Sequence, residues 1–126
     1  MASPSDRKYT KSHEWIKVEG STATIGLTRH AVDQLTDVTF VEMKKSGASF
    51  GAGESVGEVE SVKTTSDVYI PVAGSIVEVN AAAVEDPSLL NSDPFGKGWL
   101  VKINVGDASG LSSCMEADAY DREFGH

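Results

Sequence analysis

Residues 58–80 read EVESVKTTSDVYIPVAGSIVEVN, and the fold depends on how this stretch divides. Two β-prone runs, ESVGEVESV (54–62) and DVYIPV (67–72), flank the polar segment Lys63-Thr64-Thr65-Ser66. The hydroxyl side chains of that segment supply turn chemistry. A third run, SIVEVN (75–80), follows Ala73-Gly74, where a glycine suits a turn needing positive φ. Short runs divided by turn residues at this spacing predict a hairpin inside an all-β sandwich or barrel, with Lys63 projecting from a tip.

The flanking sequence agrees. WIKV (15–18) leads through Glu19-Gly20-Ser21 to ATIGL (23–27), where Ala23, Ile25 and Leu27 alternate with Thr24 and Gly26, as in a hairpin with one buried face. TFVEM (39–43) and LVKINV (100–105) add further strands, the latter with Val101, Ile103 and Val105 facing one way. Three short helices are predicted around this core. Thr28 caps one running to Leu35, with Ala31 and Leu35 one turn apart. Asp86-Pro87 starts another through Leu89 and Leu90. Ser113 and Glu116 have capping-box spacing ahead of a C-terminal helix reaching Phe124. Trp15, Trp99 and Phe40 are read as core residues.

Lys63 stands out by charge. Of the 51 residues between Lys45 and Lys97 it is the only Lys or Arg, and eight acids share the stretch. An ordinary surface lysine on an acidic face explains the charge pattern by itself. The hairpin tip adds exposure, which disfavours a buried Schiff-base lysine. Exposure suits a lysine that another enzyme reaches and modifies, so that its stem carries a reactive group outward.

Residues 58–80 closely resemble the lipoyl-attachment segment of the glycine cleavage system H-protein family. YTKSHEWIKVEG (9–20), ATIGLT (23–28), NSDPFGKGWLVKI (91–103) and EADAY (116–120) resemble its other landmarks in order, so the likeness covers nearly the whole chain from Tyr9. It implies a mainly β, lipoyl-type barrel-sandwich hybrid with short peripheral helices and a C-terminal helix. Residues 1–126 would form a single lipoyl-carrier domain, with 1–8 as a loosely ordered N-terminal segment.

The resemblance also implies a function. Lipoate would be joined covalently to Lys63 as N6-lipoyllysine, attached by a lipoate ligase or lipoyl transferase. Its arm would take an aminomethyl group from a pyridoxal-phosphate-dependent glycine decarboxylase and deliver it to a tetrahydrofolate-dependent aminomethyltransferase. Dihydrolipoamide dehydrogenase would then reoxidise it. By the same likeness Ser12, Glu14 and Asp67 match positions that shelter the loaded arm, with His13, between the first two, as an assisting candidate, and Glu60 and Gly74 match positions read during lipoylation. Plain turn and strand-edge polarity is the competing explanation for Ser12 and Glu14, a turn-closing role for Asp67 and solvated strand surface for Glu60. The chain would be a monomeric carrier with no catalytic residues of its own. The other readings are an H-like lipoyl-relay protein, another lipoyl or biotinyl carrier, and a small lysine-dependent enzyme. Two residues depart from the family pattern: Thr36 stands in a glycine position, and Arg29 replaces an acid near a helix start, giving up a favourable dipole interaction.

Composition narrows the classes. A formal net charge of -8 argues against polyanionic partners, whether nucleic acid or anionic lipid. The single cysteine, Cys114, permits no intramolecular disulfide and is assigned no redox role. His13, His30 and His126 are scattered and give no zinc spacing. No GxSxG or P-loop pattern occurs. The N-terminus reads neither as an export signal nor as an import peptide, which makes the cytoplasm the expected compartment, with the mitochondrial matrix as the alternative for a mature form.

Overall fold

Alternation in residues 14–27 produces the central hairpin. Ala23, Ile25 and Leu27 are buried, and the two arms pair antiparallel from Glu14↔Leu27 to Glu19↔Thr22. The computed structural model describes residues 4–124. The strands are β1 (Lys8–Tyr9), β2 (Glu14–Glu19), β3 (Thr22–Leu27), β4 (Val38–Met43), β5 (Ser49–Phe50), β6 (Ser55–Ser61), β7 (Thr65–Tyr69), β8 (Ala73–Val79) and β9 (Val101–Asp107). They form a six-stranded sheet ordered β1-β2-β3-β9-β8-β5 and a three-stranded sheet ordered β4-β6-β7. Every pairing is antiparallel. Helices α1 (Arg29–Leu35), α2 (Ala81–Glu85), α3 (Ser88–Ser92) and α4 (Ala117–Phe124) lie outside the strands. The mainly β architecture with short helices and a C-terminal helix is therefore the one expected.

Two apolar cores hold it. The larger unites Ile16, Ile25, Val59, Val68, Ile76, Ile103 and their neighbours from both sheets. The smaller is aromatic and joins Tyr9, Trp15 and Tyr120, with Phe95, Trp99 and Phe124 packed against them. Gly26 is part of this second core, because a Cβ there would lie 2.5 Å from the Trp15 ring. Residues 1–3 of the expected loose N-terminal segment lie outside the described residues. Beyond them, Arg7 stacks 4.5 Å over Trp15 and Lys8 opens β1.

Several expectations need correction. Phe40 is 45% exposed. A bulge between Val38 and Phe40 leaves Val38 and Val41 as the inward pair of β4 and turns Phe40 outward. Trp99 is only half-buried, with the Lys102 ammonium 5.1 Å above its ring. The Ser113–Glu116 capping box does not form. Met115 exchanges backbone hydrogen bonds with Tyr9, which holds it extended and delays α4 until Ala117. Ser113 instead donates to Gly110 O, ending a 3-10 helix over Ala108–Ser113, and Glu116 pairs with Lys8. Gly74 does not adopt positive φ; a Cβ there would run into the Asn104 carbonyl of β9, so close backbone approach is what demands glycine. Helix α2 was not expected; the side chain of Asn80 before it serves Lys97 O and Trp99 O instead of capping it.

Candidate functional site

Lys63 sits exposed in the turn between β6 and β7. The turn chemistry comes from Ser61, not from the threonines and Ser66 that follow Lys63. Ser61 Oγ accepts from Lys63 N and Thr64 N, both at 3.1 Å, and donates to Thr64 O. Ser61 N donates to Thr64 O at 2.8 Å, and Val62 N to Asp37 O at 3.1 Å. The root of the lysine is thereby fixed while its stem stays in solvent.

Beside it opens a cleft of about 440 Å³ lined by Ser12, His13, Ala31, Gln34, Leu35, Lys63 and Thr64 through Ser66. Three elements build it: the loop before β2, one face of α1, and the Lys63 hairpin. Helix α1 starts at Thr28, whose Oγ1 accepts from Ala31 N at 3.2 Å, as the sequence predicts. Gln34 lies three residues beyond Ala31 and so shares its face. The spacing of Ala31 and Leu35 is the sequence signal for this face, and Gln34 falls within it.

The sequence-derived residues separate here. Ser12 and His13 share the cleft with Lys63. Glu14 lies behind them at 1% exposure. Its Oε1 accepts from Thr10 Oγ1 at 2.6 Å and from Ser12 Oγ, and its Oε2 accepts from Tyr69 N at 3.1 Å. Burial pushes the Glu14 carboxyl above the usual carboxylate range, against the pull of hydrogen bonds from Ser12, Thr10 and Tyr69 N. Since β7 is an edge strand, Glu14 also satisfies an edge N–H and ties the three-stranded sheet to β2.

Asp67 does not line the cleft. It projects from the outer face of β7, where it accepts from Tyr69 Oη at 3.2 Å and Ser55 Oγ at 3.5 Å. Glu60 lies on that outer face too, opposite Thr65 and Phe40. Glu42, Glu58, Glu60 and Asp67 are all exposed on this sheet. Gly74 belongs to the other sheet, paired with Phe50 and Val105.

Arg29 recovers what the helix dipole denies it: Nη1 donates to Asn91 O at 2.6 Å and lies 3.9 Å from Asp33 Oδ1. His13 and His30 are not scattered in space, since their rings are 4.3 Å apart. His126 lies outside the described residues. No group of three metal-capable side chains occurs among the described residues.

A family profile described as Glycine cleavage H-protein matches residues 7–126. The chain is 48% identical over 120 residues to the glycine cleavage system H protein of Methylacidiphilum infernorum, an alignment covering 95% of this chain and 94% of the relative. It is 51% identical over 112 residues to that of Dinoroseobacter shibae, covering 89% and 92%. Its fold is similar to the crystal structure of a glycine cleavage system H protein from Mycobacterium marinum, with a TM-score of 0.90 and 41% identity over 98% of this chain and 100% of that one.

Proposed function

The chain belongs to the glycine cleavage H-protein family, and from that premise we propose that residues 1–126 act as one lipoyl-bearing carrier domain with lipoate in amide linkage at Lys63. The observation that supports this most is the pairing of an exposed lysine on a hydrogen-bonded hairpin tip with a cleft that begins at its base. The residues present fit the group. The lysine is accessible to a ligase or transferase, and the cleft has an apolar wall from Ala31 and Leu35 and polar partners in Ser12, His13 and Gln34. Bound lipoate would supply a dithiolane that carries the aminomethyl group and is reduced and reoxidised.

This chain's own residues root, orient and shelter. Ser61 fixes the backbone of Lys63, so that motion is confined to the arm. Ser12 and His13 offer hydroxyl and imidazole contacts at the cleft. Glu14 acts through Ser12, whose Oγ it holds, and not by direct contact. Asp67 and Glu60, on the outer face, are better placed to meet a visiting enzyme than to line the cleft. Glycine decarboxylase, the aminomethyltransferase, dihydrolipoamide dehydrogenase and the attaching enzyme would be the visitors. The bacterial relatives favour a cytoplasmic setting for the work.

Intact-mass analysis of the protein from its native host tests the reading. The expected result is one lipoyl-sized addition, lost in Lys63→Arg. An unmodified Lys63 under lipoate-replete conditions would remove the proposal. Reconstituted glycine–bicarbonate exchange with the decarboxylase then separates glycine cleavage from a lipoyl-relay role.

A further inference from the structure

The C-terminal helix reaches the cleft through a hydrogen-bond chain that the carrier role leaves unexplained. Thr28 Oγ1 lies 2.7 Å from Tyr120 Oη, and Tyr120 Oη lies 2.8 Å from His13 Nδ1. Thr28 is fully buried and Tyr120 nearly so. The direction of the chain follows from counting hydrogens. Thr28 Oγ1 already accepts from Ala31 N, and Tyr120 Oη is the acceptor left for its own hydrogen among the described contacts. If Thr28 donates to Tyr120, then Tyr120 donates to His13 Nδ1 and every hydrogen is used. In the reverse direction the buried Thr28 hydroxyl hydrogen is orphaned, which buried polar groups avoid. Nδ1 is therefore an acceptor, and the imidazole is neutral with its hydrogen on Nε2.

His13 also has positive φ, 73°, which non-glycine residues rarely hold without support. Its backbone is pinned on both sides, N donating to Thr10 O at 3.1 Å and O accepting from Thr28 N at 3.0 Å. Phe124 of α4 meets its ring edge-on at 4.7 Å between centroids.

We propose that Tyr120 is a positioning residue for the cleft: through Thr28, Tyr120 and His13 it fixes His13 as a neutral Nε2–H donor at the lip, so that an amine carried on the arm meets no positive charge there. Only the identity of the cargo rests on the carrier reading. The titratable groups around His13 are His30 on α1, Tyr120 on α4 and Lys63 in the lining of the same cleft, while Glu14 and Asp121 bear on Tyr120. Burial first, and then His30, hold His13 below its ordinary value of 6.5. A positive charge on either ring would be repelled by the other and by a cationic cargo.

Imidazole 15N NMR on the full, unmodified chain tests this without lipoate. His13 should show the Nε2–H tautomer and titrate below an ordinary histidine. Tyr120→Phe, which keeps the ring packing, should mix the tautomers and raise the titration. Thr28→Ser, which keeps the hydroxyl, should preserve both. An Nδ1–H tautomer in the wild type, or a Tyr120→Phe titration identical to the wild type, would overturn the relay. Should Tyr120→Phe not fold, the wild-type tautomer alone decides. On lipoylated protein, hydrolysis of the aminomethyl-loaded form at pH 6 should be severalfold faster in Tyr120→Phe. An unchanged rate would overturn the role toward cargo, whereas absence of lipoate from Lys63 would sink the carrier reading and leave the NMR result standing.

Discussion

Replacing Thr36 with glycine should stabilise this protein. Thr36 ends α1 with φ 63° and ψ -128°, a region that glycine enters freely and a β-branched residue enters only under strain. Such strain costs on the order of 1–3 kcal/mol. Little offsets it: Thr36 is exposed, and its hydroxyl makes only a local bond to Leu35 O. Against the gain stands the extra freedom of glycine in the unfolded chain, about 0.5–1 kcal/mol. The net expectation is about 1 kcal/mol, or roughly 3–5 °C in Tm for a chain of this size. Urea and thermal unfolding followed by circular dichroism would read it. Thr36→Ala should fall between the two, since it removes branching but keeps a Cβ at positive φ. What holds the strained turn is Asn91, whose side chain donates to Thr36 O and accepts from Val38 N at 3.0 Å. Asn91→Ala should therefore cost less in the Thr36→Gly background than alone, a coupling of about 0.5–1 kcal/mol. A Thr36→Gly protein no more stable than the parent would show that the strain assigned to this turn is not there. The glycine that the family pattern places here would then need another explanation.

Three further outcomes follow from particular contacts. Gly74→Ser should destabilise by about 1–3 kcal/mol in chemical unfolding, because the new Cβ meets the rigid Asn104 carbonyl; any loss of lipoylation should then track unfolding, and a folded Gly74→Ser protein that is not lipoylated would point to recognition instead. Because His13 is held below its ordinary 6.5, the unfolded chain binds its proton more readily, so its share of stability is present above that value and is lost as pH falls. The raised carboxyl of Glu14 acts oppositely, its ionisation costing stability as pH rises above 4.5. Unfolding free energy of the wild type should thus decline more steeply from pH 6.5 to 5 than that of His13→Asn, and equal slopes would refute the assignment. Association with the partner enzymes should weaken as salt rises, if the exposed Glu42, Glu58, Glu60 and Asp67 steer basic surfaces; binding indifferent to ionic strength would count against that role.

Local chemistry was legible and tertiary geometry was not. The β2–β3 hairpin, the Thr28 cap and the Lys63 tip each depend on residues within one turn or one strand alternation, so the sequence displays them directly. The exposure of Phe40 is hidden because a bulge breaks the period-2 rule without leaving a glycine or proline as a signal. The reason for glycine at position 74 is hidden too, because the β9 carbonyl that approaches it lies thirty residues away in the chain. The outward side of Asp67 is legible in the pattern: Val68 beside it is apolar and buried, so its strand neighbours point the other way. The Tyr120–His13 contact spans 107 positions and has no sequence pattern at all.

A carrier needs a root that stays still and an arm that moves, and this hairpin separates the two chemically as well as mechanically. The backbone on either side of Lys63 is committed, to Ser61 Oγ and to Asp37 O, while Glu14 pins the far end of β7 at Tyr69. The two faces of the hairpin then differ in charge. Toward solvent the three-stranded sheet exposes carboxylates from all three strands, Glu42, Glu58, Glu60 and Asp67. Toward the cleft Lys63 faces Ser12, Gln34 and an imidazole kept neutral by its hydrogen-bond partner. A basic enzyme surface is attracted to the first face and gains nothing from the second. With Lys63 amidated, an amine on the arm would find hydrogen-bond partners in the cleft and no lysine or arginine charge among its lining residues. Lys63 stands on the border between them, so a reactive group joined to it as proposed would pass from shelter to the acidic face by a short swing of one side chain, with no movement of the fold.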